Sequence, residues 1–212
     1  MYFDFGAQPA QTNYNLLTAT VTPRPIAWVT TRSSTGVLNA APYSFFNVMG
    51  HQPPTVALGM MRHASGSLKD TAANILETGE FVVNLVPESL VQQMNQTCAD
   101  YPSDVNELEQ AGLVALPARH VKAPLIKGSP VSLECVALTS LVTGPHQTVV
   151  IGRVLAAHID DALVLDAEQG FVNTPALGLI SRMHGGGWYA RSTDLFQVAR
   201  PVEPQMTVGQ GS

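Results

Sequence analysis

Two stretches of the chain combine hydroxyls, amides and aromatic rings at spacings that suit a planar ligand with polar edges. The first runs from Pro23-Arg24-Pro25-Ile26-Ala27-Trp28-Val29-Thr30-Thr31 to Asn39-Ala40-Ala41-Pro42-Tyr43-Ser44-Phe45-Phe46-Asn47. Ile26 to Thr31 is rich in β-forming residues, Ser33 to Gly36 supply a turn, and the return run mixes apolar with small polar residues. Paired as neighbouring strands, these segments bring Thr30 or Thr31, Asn39, Ser44 and Asn47 close to the rings of Tyr43 and Phe45. Successive strand residues face opposite sides, so Thr30 and Thr31 cannot both offer side chains to one ligand. The second stretch is Arg62-His63-Ala64-Ser65-Gly66-Ser67-Leu68-Lys69-Asp70-Thr71, a polar loop that enters a helix. Free N–H groups at a helix start attract anions, phosphate above all. Ser65 and Ser67 add hydroxyl donors, while Arg62 and Lys69 add positive charge. Asp70 is assigned to helix capping, because an inward carboxylate would repel the anion. Taken singly, the aromatic residues read as core and the loop as a capped surface helix; the weight lies in their combination.

A third stretch, Met183-His184-Gly185-Gly186-Gly187-Trp188-Tyr189, contains the His-Gly-Gly-Gly run found in the oxyanion loop of lipase-like hydrolases. That chemistry is not supported. The chain has no Gly-x-Ser-x-Gly, and the run stands too near the end for a nucleophile to follow it. A glycine loop over a planar ligand, with His184, Gly186 and Tyr189 touching a substrate, is the preferred reading. The six histidines are scattered with no His-x-x-x-His or Cys-x-x-Cys spacing, so no metal site is expected. His158 with Asp160 and Asp161 reads as a solvated turn. No Gly-x-Gly-x-x-Gly follows a strand, which argues against a Rossmann domain.

These residues need a scaffold made mainly of strands. Thr55 to Met61, Glu80 to Val86, Val131 to Val142, Thr148 to His158 and Ala162 to Asp166 read as strands, with Gly144-Pro145 breaking the longest pair. Helices are expected over Lys69 to Thr78, closed by Gly79, over Glu88 to Thr97, and over Val105 to Ala111. Many strands and few helices predict a mainly β fold, a barrel with a few appended helices. One domain over residues 1–200 accounts for the length, and Pro201 to Ser212 reads as a disordered tail.

Charged residues make up only 13% of the sequence, against about 25% in a typical soluble domain, so part of the surface is expected to be covered by another subunit. A net charge of −5 argues against nucleic acid or an anionic membrane as partner. No apolar run reaches the roughly 20 residues of a membrane span, and Met1-Tyr2-Phe3-Asp4-Phe5 lacks a signal-peptide layout. Cys98 and Cys135 lie far apart and read as reduced thiols of a cytoplasmic protein.

The order of these motifs resembles the flavin reductase-like family with an FMN-binding split β-barrel. The resemblance rests on Pro23-Arg24-Pro25-Ile26-Ala27-Trp28, Ala41-Pro42-Tyr43-Ser44-Phe45-Phe46-Asn47, Lys69-Asp70-Thr71-Ala72-Ala73-Asn74-Ile75, Gly79-Glu80-Phe81-Val82-Val83-Asn84, Leu133-Glu134-Cys135 and Ile151-Gly152-Arg153-Val154. It implies noncovalent FMN, NADH or NADPH as reductant, a homodimer, and hydride chemistry carried by the flavin with no acid–base side chain required. The implied cofactor residues are Thr30, Thr31, Asn39, Ala41, Pro42, Tyr43, Ser44, Phe45, Asn47, Arg62, Ser65, Ser67, Lys69 and Thr71. The strand Ala41 to Asn47 would lie along the isoalloxazine, and the loop into Lys69 would hold the phosphate. The expected activity is NAD(P)H:flavin oxidoreduction, with a possible partner monooxygenase; a flavoredoxin-like electron carrier is the alternative. The chain departs from the family pattern at Met49-Gly50-His51 and Met183-His184, both expected near flavin or substrate.

Overall fold

A computed structural model describes residues 1–201. Helix α1 (Ala10–Thr20) and the short strand β1 (Arg24–Pro25) lead into β2 (Ala27–Arg32), β3 (Leu38–Tyr43), β4 (Phe46–His51) and β5 (Pro54–Met61). Helix α2 (Asp70–Thr78) precedes β6 (Glu80–Leu85). A 3-10 turn over Glu88–Leu90 runs into α3 (Val91–Gln96), followed by α4 (Glu107–Gln110) and the small pair β7 (Ala115–Leu116) and β8 (Leu125–Ile126). The long hairpin of β9 (Val131–Gly144) and β10 (Gln147–Ile159) comes next. The last strands are β11 (Val164–Asp166), β12 (Phe171–Val172), β13 (Ile180–Arg182) and β14 (Tyr189–Arg191).

Seven strands form one antiparallel sheet in the order β3-β2-β6-β9-β10-β5-β4. Its two edge strands, β3 and β4, are consecutive in sequence and joined only through Ser44 and Phe45. Flat, seven strands about 4.8 Å apart would put these edges about 29 Å apart. Three peptide steps from Tyr43 to Phe46 reach at most about 11 Å. The sheet must therefore curl until its edges meet, which makes a barrel closed by the chain at one end of the seam and split along the rest. The Gly59 N–H, donating to the Phe45 carbonyl at 2.7 Å, holds the join against β5.

The pleat of β2 explains the two cores. Ala27 and Val29 point into the barrel with Phe81, Val83, Leu58 and Cys135, and α2 adds Ala72 and Ile75 to that cluster. Ile26 and Trp28 point outward into a second cluster with Met94, Leu108 and Ile126. Trp28 is fully buried, and its indole N–H donates to Thr97 Oγ1 at 2.9 Å. Gly152 on β10 is required by packing: a Cβ there would lie 2.4 Å from Phe81 Cζ. Gly79 closes α2 in the left-handed conformation, φ 74°, its N–H donating to Ile75 O, as the sequence predicts.

Two expectations need correcting, and one helix is not foreseen. Helix α1 is absent from the sequence reading, because its residues bury little beyond Thr18 and show no apolar stripe. The third predicted helix shrinks to Glu107–Gln110, opened by Asn106, whose Oδ1 accepts from the N–H groups of Leu108 and Glu109. The strand expected from Ala162 begins only at Val164, after a 3-10 turn over Asp161–Leu163. The tail expected to be disordered lies, beyond Pro201, outside the described residues.

Candidate functional site

Beside the β3 edge of the seam lies a groove of about 440 Å³, within the roughly 300–1,000 Å³ range usual for small-molecule sites. One wall is the free edge of β3 and the join, Ala41 to Phe45; the other carries Gly59 and Met61 of β5. Tyr14 of α1 closes one side, its ring centroid 6.2 Å from that of Phe45. The start of α2, the segment Thr97 to Tyr101 and Glu107 of α4 complete the lining. An edge strand offers backbone groups that no neighbouring strand takes; here these are chiefly carbonyls, because the Ala40 N–H goes to Glu107 and Pro42 has none. A flat ring system with polar edges can therefore rest on apolar atoms of this wall and bond along its margin.

A buried network fixes the floor. Asn39 Nδ2 donates to Glu107 Oε2 at 2.6 Å, and the Ala40 N–H donates to the same oxygen at 2.7 Å. Asn39 Oδ1 accepts from Thr71 Oγ1 at 2.7 Å and from Thr31 Oγ1 at 3.3 Å, while Asn74 Nδ2 donates to Thr31 Oγ1 at 2.9 Å. One amide thus ties β3, β2, α2 and α4 together. Burial drives the Glu107 carboxyl up; the Ala40 N–H opposes this and the charges of Asp70 and Asp100 add to it, leaving it at about 7. Burial likewise raises the Tyr43 phenol to about 12, with Thr71 opposing and Glu107 and Asp70 reinforcing.

The loop into α2 is held from behind. Arg62 Nε donates to Thr148 Oγ1 at 3.0 Å and Nη1 to the Gly66 carbonyl at 3.1 Å, so this guanidinium shapes the loop and does not line the groove. Ser65 and Ser67 hydrogen-bond each other at 2.8 Å on the surface. Lys69 does reach the groove, where Nζ bonds Asp100 Oδ1 at 2.8 Å. Asp70 is the first residue of α2, with no side-chain cap at that helix start, and it lines the groove, contrary to the capping role expected of it.

Of the residues singled out in the sequence, the groove gathers Asn39, Ala41, Pro42, Tyr43, Ser44, Phe45, Lys69 and Thr71. It does not gather the rest. Thr30 is buried on the opposite face of β2, its hydroxyl donating to the Pro124 carbonyl at 2.5 Å. Thr31 sits behind Asn39 in the network, and Asn47 faces outward on β4. Met49 is also exposed on β4 and lines no part of the groove. His184, Gly186 and Tyr189 belong to the β13–β14 hairpin, outside the groove lining, where the His184 ring lies 5.7 Å from that of Trp188. Arg24 links this hairpin to the groove wall: Nη2 donates to the Met183 carbonyl at 2.6 Å, and Nε reaches Ser44 Oγ at 3.4 Å. The sequence reading passed over Tyr14, the Thr97 to Tyr101 segment and Glu107. Only the acidic and aromatic Asp100-Tyr101 pair, just past a helix end, gave any hint of them.

An antiparallel barrel split along one seam, with a ligand-sized groove beside the split, defines the class: a split-barrel protein. The flavin reductase like domain matches residues 19–175, and the chain belongs to that family. A protein of Deinococcus radiodurans is 43% identical over 203 residues, covering 94% of this chain and 89% of its own. Nitrilotriacetate monooxygenase component B from Bacillus cereus superposes with a TM-score of 0.87 at 35% identity, over 93% of this chain and 98% of its own. The 2-nitrobenzoate 2-nitroreductase NbaA of Pseudomonas fluorescens gives a TM-score of 0.87 at 30% identity, over 98% and 100%.

Proposed function

We propose that the chain is an FMN-dependent oxidoreductase that takes electrons from NADH or NADPH and passes them to free flavin or to a partner monooxygenase. The observation that carries this is the groove beside the seam, where a strand edge and apolar wall from Ala41 to Phe45 meet the Lys69 ammonium and the start of α2. The donor set fits FMN. Ala41, Pro42 and Phe45 offer a face for the ring, and the β3 edge and Ser44 offer partners for its polar margin. Lys69 and the first N–H groups of α2 suit the phosphate, above a floor that Thr71 holds through Asn39. Lys69 would then exchange Asp100 for the phosphate oxygens. Bound FMN supplies the hydride chemistry, and the protein supplies position and electrostatics. The β13–β14 hairpin, tethered to Ser44 through Arg24, is the candidate seat of the nicotinamide, with His184, Gly186 and Tyr189 toward it. A component B of a monooxygenase among the similar structures supports the partner enzyme. Among the described residues no helix is long and apolar enough to cross a membrane, and a cytoplasmic site of action is part of this reading.

The test is anaerobic mixing of the FMN-loaded protein with NADH and, separately, with NADPH, following flavin absorbance. Bleaching by at least one of them is expected. Flavin that stays oxidised with both removes the oxidoreductase and leaves an electron carrier.

The same reading includes a homodimer. Val48 and Met49 on β4 and Leu138, Leu141 and Val142 on the outer half of β9 are all more than half exposed. Apolar surface of that kind on a chain so poor in charge is what a subunit interface covers. Light scattering at micromolar concentration should give twice the 22.6 kDa chain mass. A value at the chain mass itself would rule the dimer out.

A further inference from the structure

Glu107 is placed in the groove in a way that flavin binding by Lys69 and the strand wall does not use. It is 6% exposed, and its Oε2 takes both Asn39 Nδ2 and the Ala40 N–H. Among the described residues Oε1 takes no hydrogen bond, and the one fully buried side-chain oxygen left unpartnered is Asn13 Oδ1. Oε1 of Glu107 is therefore open to the groove that the residue lines.

The groups around it are mostly of one sign. Asp70 faces it from the start of α2 and Asp100 from the segment beyond α3, with the Tyr43 phenol on β3. Among the described residues, the lysine or arginine lining the groove is Lys69, already bonded to Asp100. Three carboxylates thus surround a space that, on the reading above, receives a phosphate dianion. Like charges brought together in a partly desolvated site repel strongly, and the cheapest relief is a proton on the most buried carboxylate. The unliganded carboxyl already sits near 7, so a further negative charge in the groove tips it to the protonated form at neutral pH.

We propose that Glu107 is a binding residue of the groove that takes up a proton from solvent when a phosphate-bearing flavin enters and gives it back when the flavin leaves. The proposal rests on the flavin reading. Binding and protonation are then linked: each favours the other by the same factor. Above neutral pH the flavin affinity falls, by up to about tenfold per pH unit where one full proton is taken up.

The experiment measures FMN and riboflavin dissociation constants by flavin fluorescence from pH 7 to pH 9, where the FMN phosphate is held as the dianion. It uses the wild-type protein and Glu107→Gln. Glutamine keeps an oxygen for Asn39 and Ala40 but cannot take the proton. The wild-type FMN constant should rise at least tenfold over this range, riboflavin much less, and the variant should be flat. Infrared titration of the ligand-free protein gives a second readout: a protonated carboxyl band that is lost near neutrality and absent from Glu107→Gln. If Glu107→Gln does not fold, Asp70→Asn replaces it, and the same rise should move to lower pH. A flat wild-type profile, or an equal rise in the variant, overturns the proposal and leaves flavin binding standing. Failure to bind FMN at any pH overturns both.

Discussion

Glu134→Gln should lower the unfolding free energy by about 3–5 kcal/mol, as breaking a buried ionic cluster does, and the melting temperature by about 10 °C for a chain of this size. Glu134 is completely buried on β9. Its carboxylate accepts the backbone N–H groups of Arg119, His120 and Val121 at 2.9, 2.5 and 3.2 Å, and it pairs with His158 Nε2 at 2.5 Å. It thereby pins the segment between β7 and β8 to the barrel. Glutamine fits the space but turns one oxygen into an NH₂ group facing donors, so it both loses bonds and adds repulsion. Burial, the largest single influence on this carboxyl, pushes it up. The bonds from His158, Arg119 and His120 outweigh burial and hold it at about 2. A depressed carboxyl stabilises the folded state fully above its unfolded value of about 4.5, and loses that contribution as pH falls toward about 2. Wild type should accordingly lose stability through this acid window, and Glu134→Gln should lose less there. Urea unfolding followed by circular dichroism measures both, and a variant within 1 kcal/mol of wild type at pH 7 would contradict the argument.

The second large effect is expected at Asn39. Asn39→Leu preserves size but removes both ends of the amide that joins Thr71 to Glu107. Thr71 Oγ1 loses its acceptor and Glu107 Oε2 keeps only the Ala40 N–H. Each unpartnered buried group costs roughly 1–3 kcal/mol, so a loss of about 3 kcal/mol in stability is expected. On the flavin reading the floor of the groove loosens with it, and FMN affinity should fall about a hundredfold, the equivalent of about 2.8 kcal/mol. Fluorescence titration of the folded variant decides: affinity within threefold of wild type would mean that Asn39 serves the fold and not the site.

Much of the scaffold is legible in the sequence because its signals are local. Ile26 to Thr31 is β-branched and bounded by Pro25 and the Ser33–Gly36 turn, and it forms β2 nearly as read. Gly79 marks the end of α2 for the same local reason. The wall from Ala41 to Phe45 is legible too, since the residues that make it are contiguous. What escapes is set by tertiary neighbours. Whether Thr30 or Thr31 faces Asn39 depends on strand phase, and the answer is fixed by Pro124, 94 residues away in the chain. Glu107 enters the groove because a four-residue helix packs on β3, 68 residues from Asn39. Nothing in its immediate sequence separates it from an ordinary surface glutamate.

The join at Ser44 and Phe45 has a consequence for how this scaffold can change over evolutionary time. The same two residues hoop the barrel and wall the groove, so their number is fixed by the need to reach. A longer join would slacken the closure and shift Phe45 away from Gly59, altering the whole cylinder to adjust one face of it. New ligand preferences at this wall are therefore accessible through exchange of side chains, while variation in loop length can act where loops line the groove, as between Cys98 and Asn106.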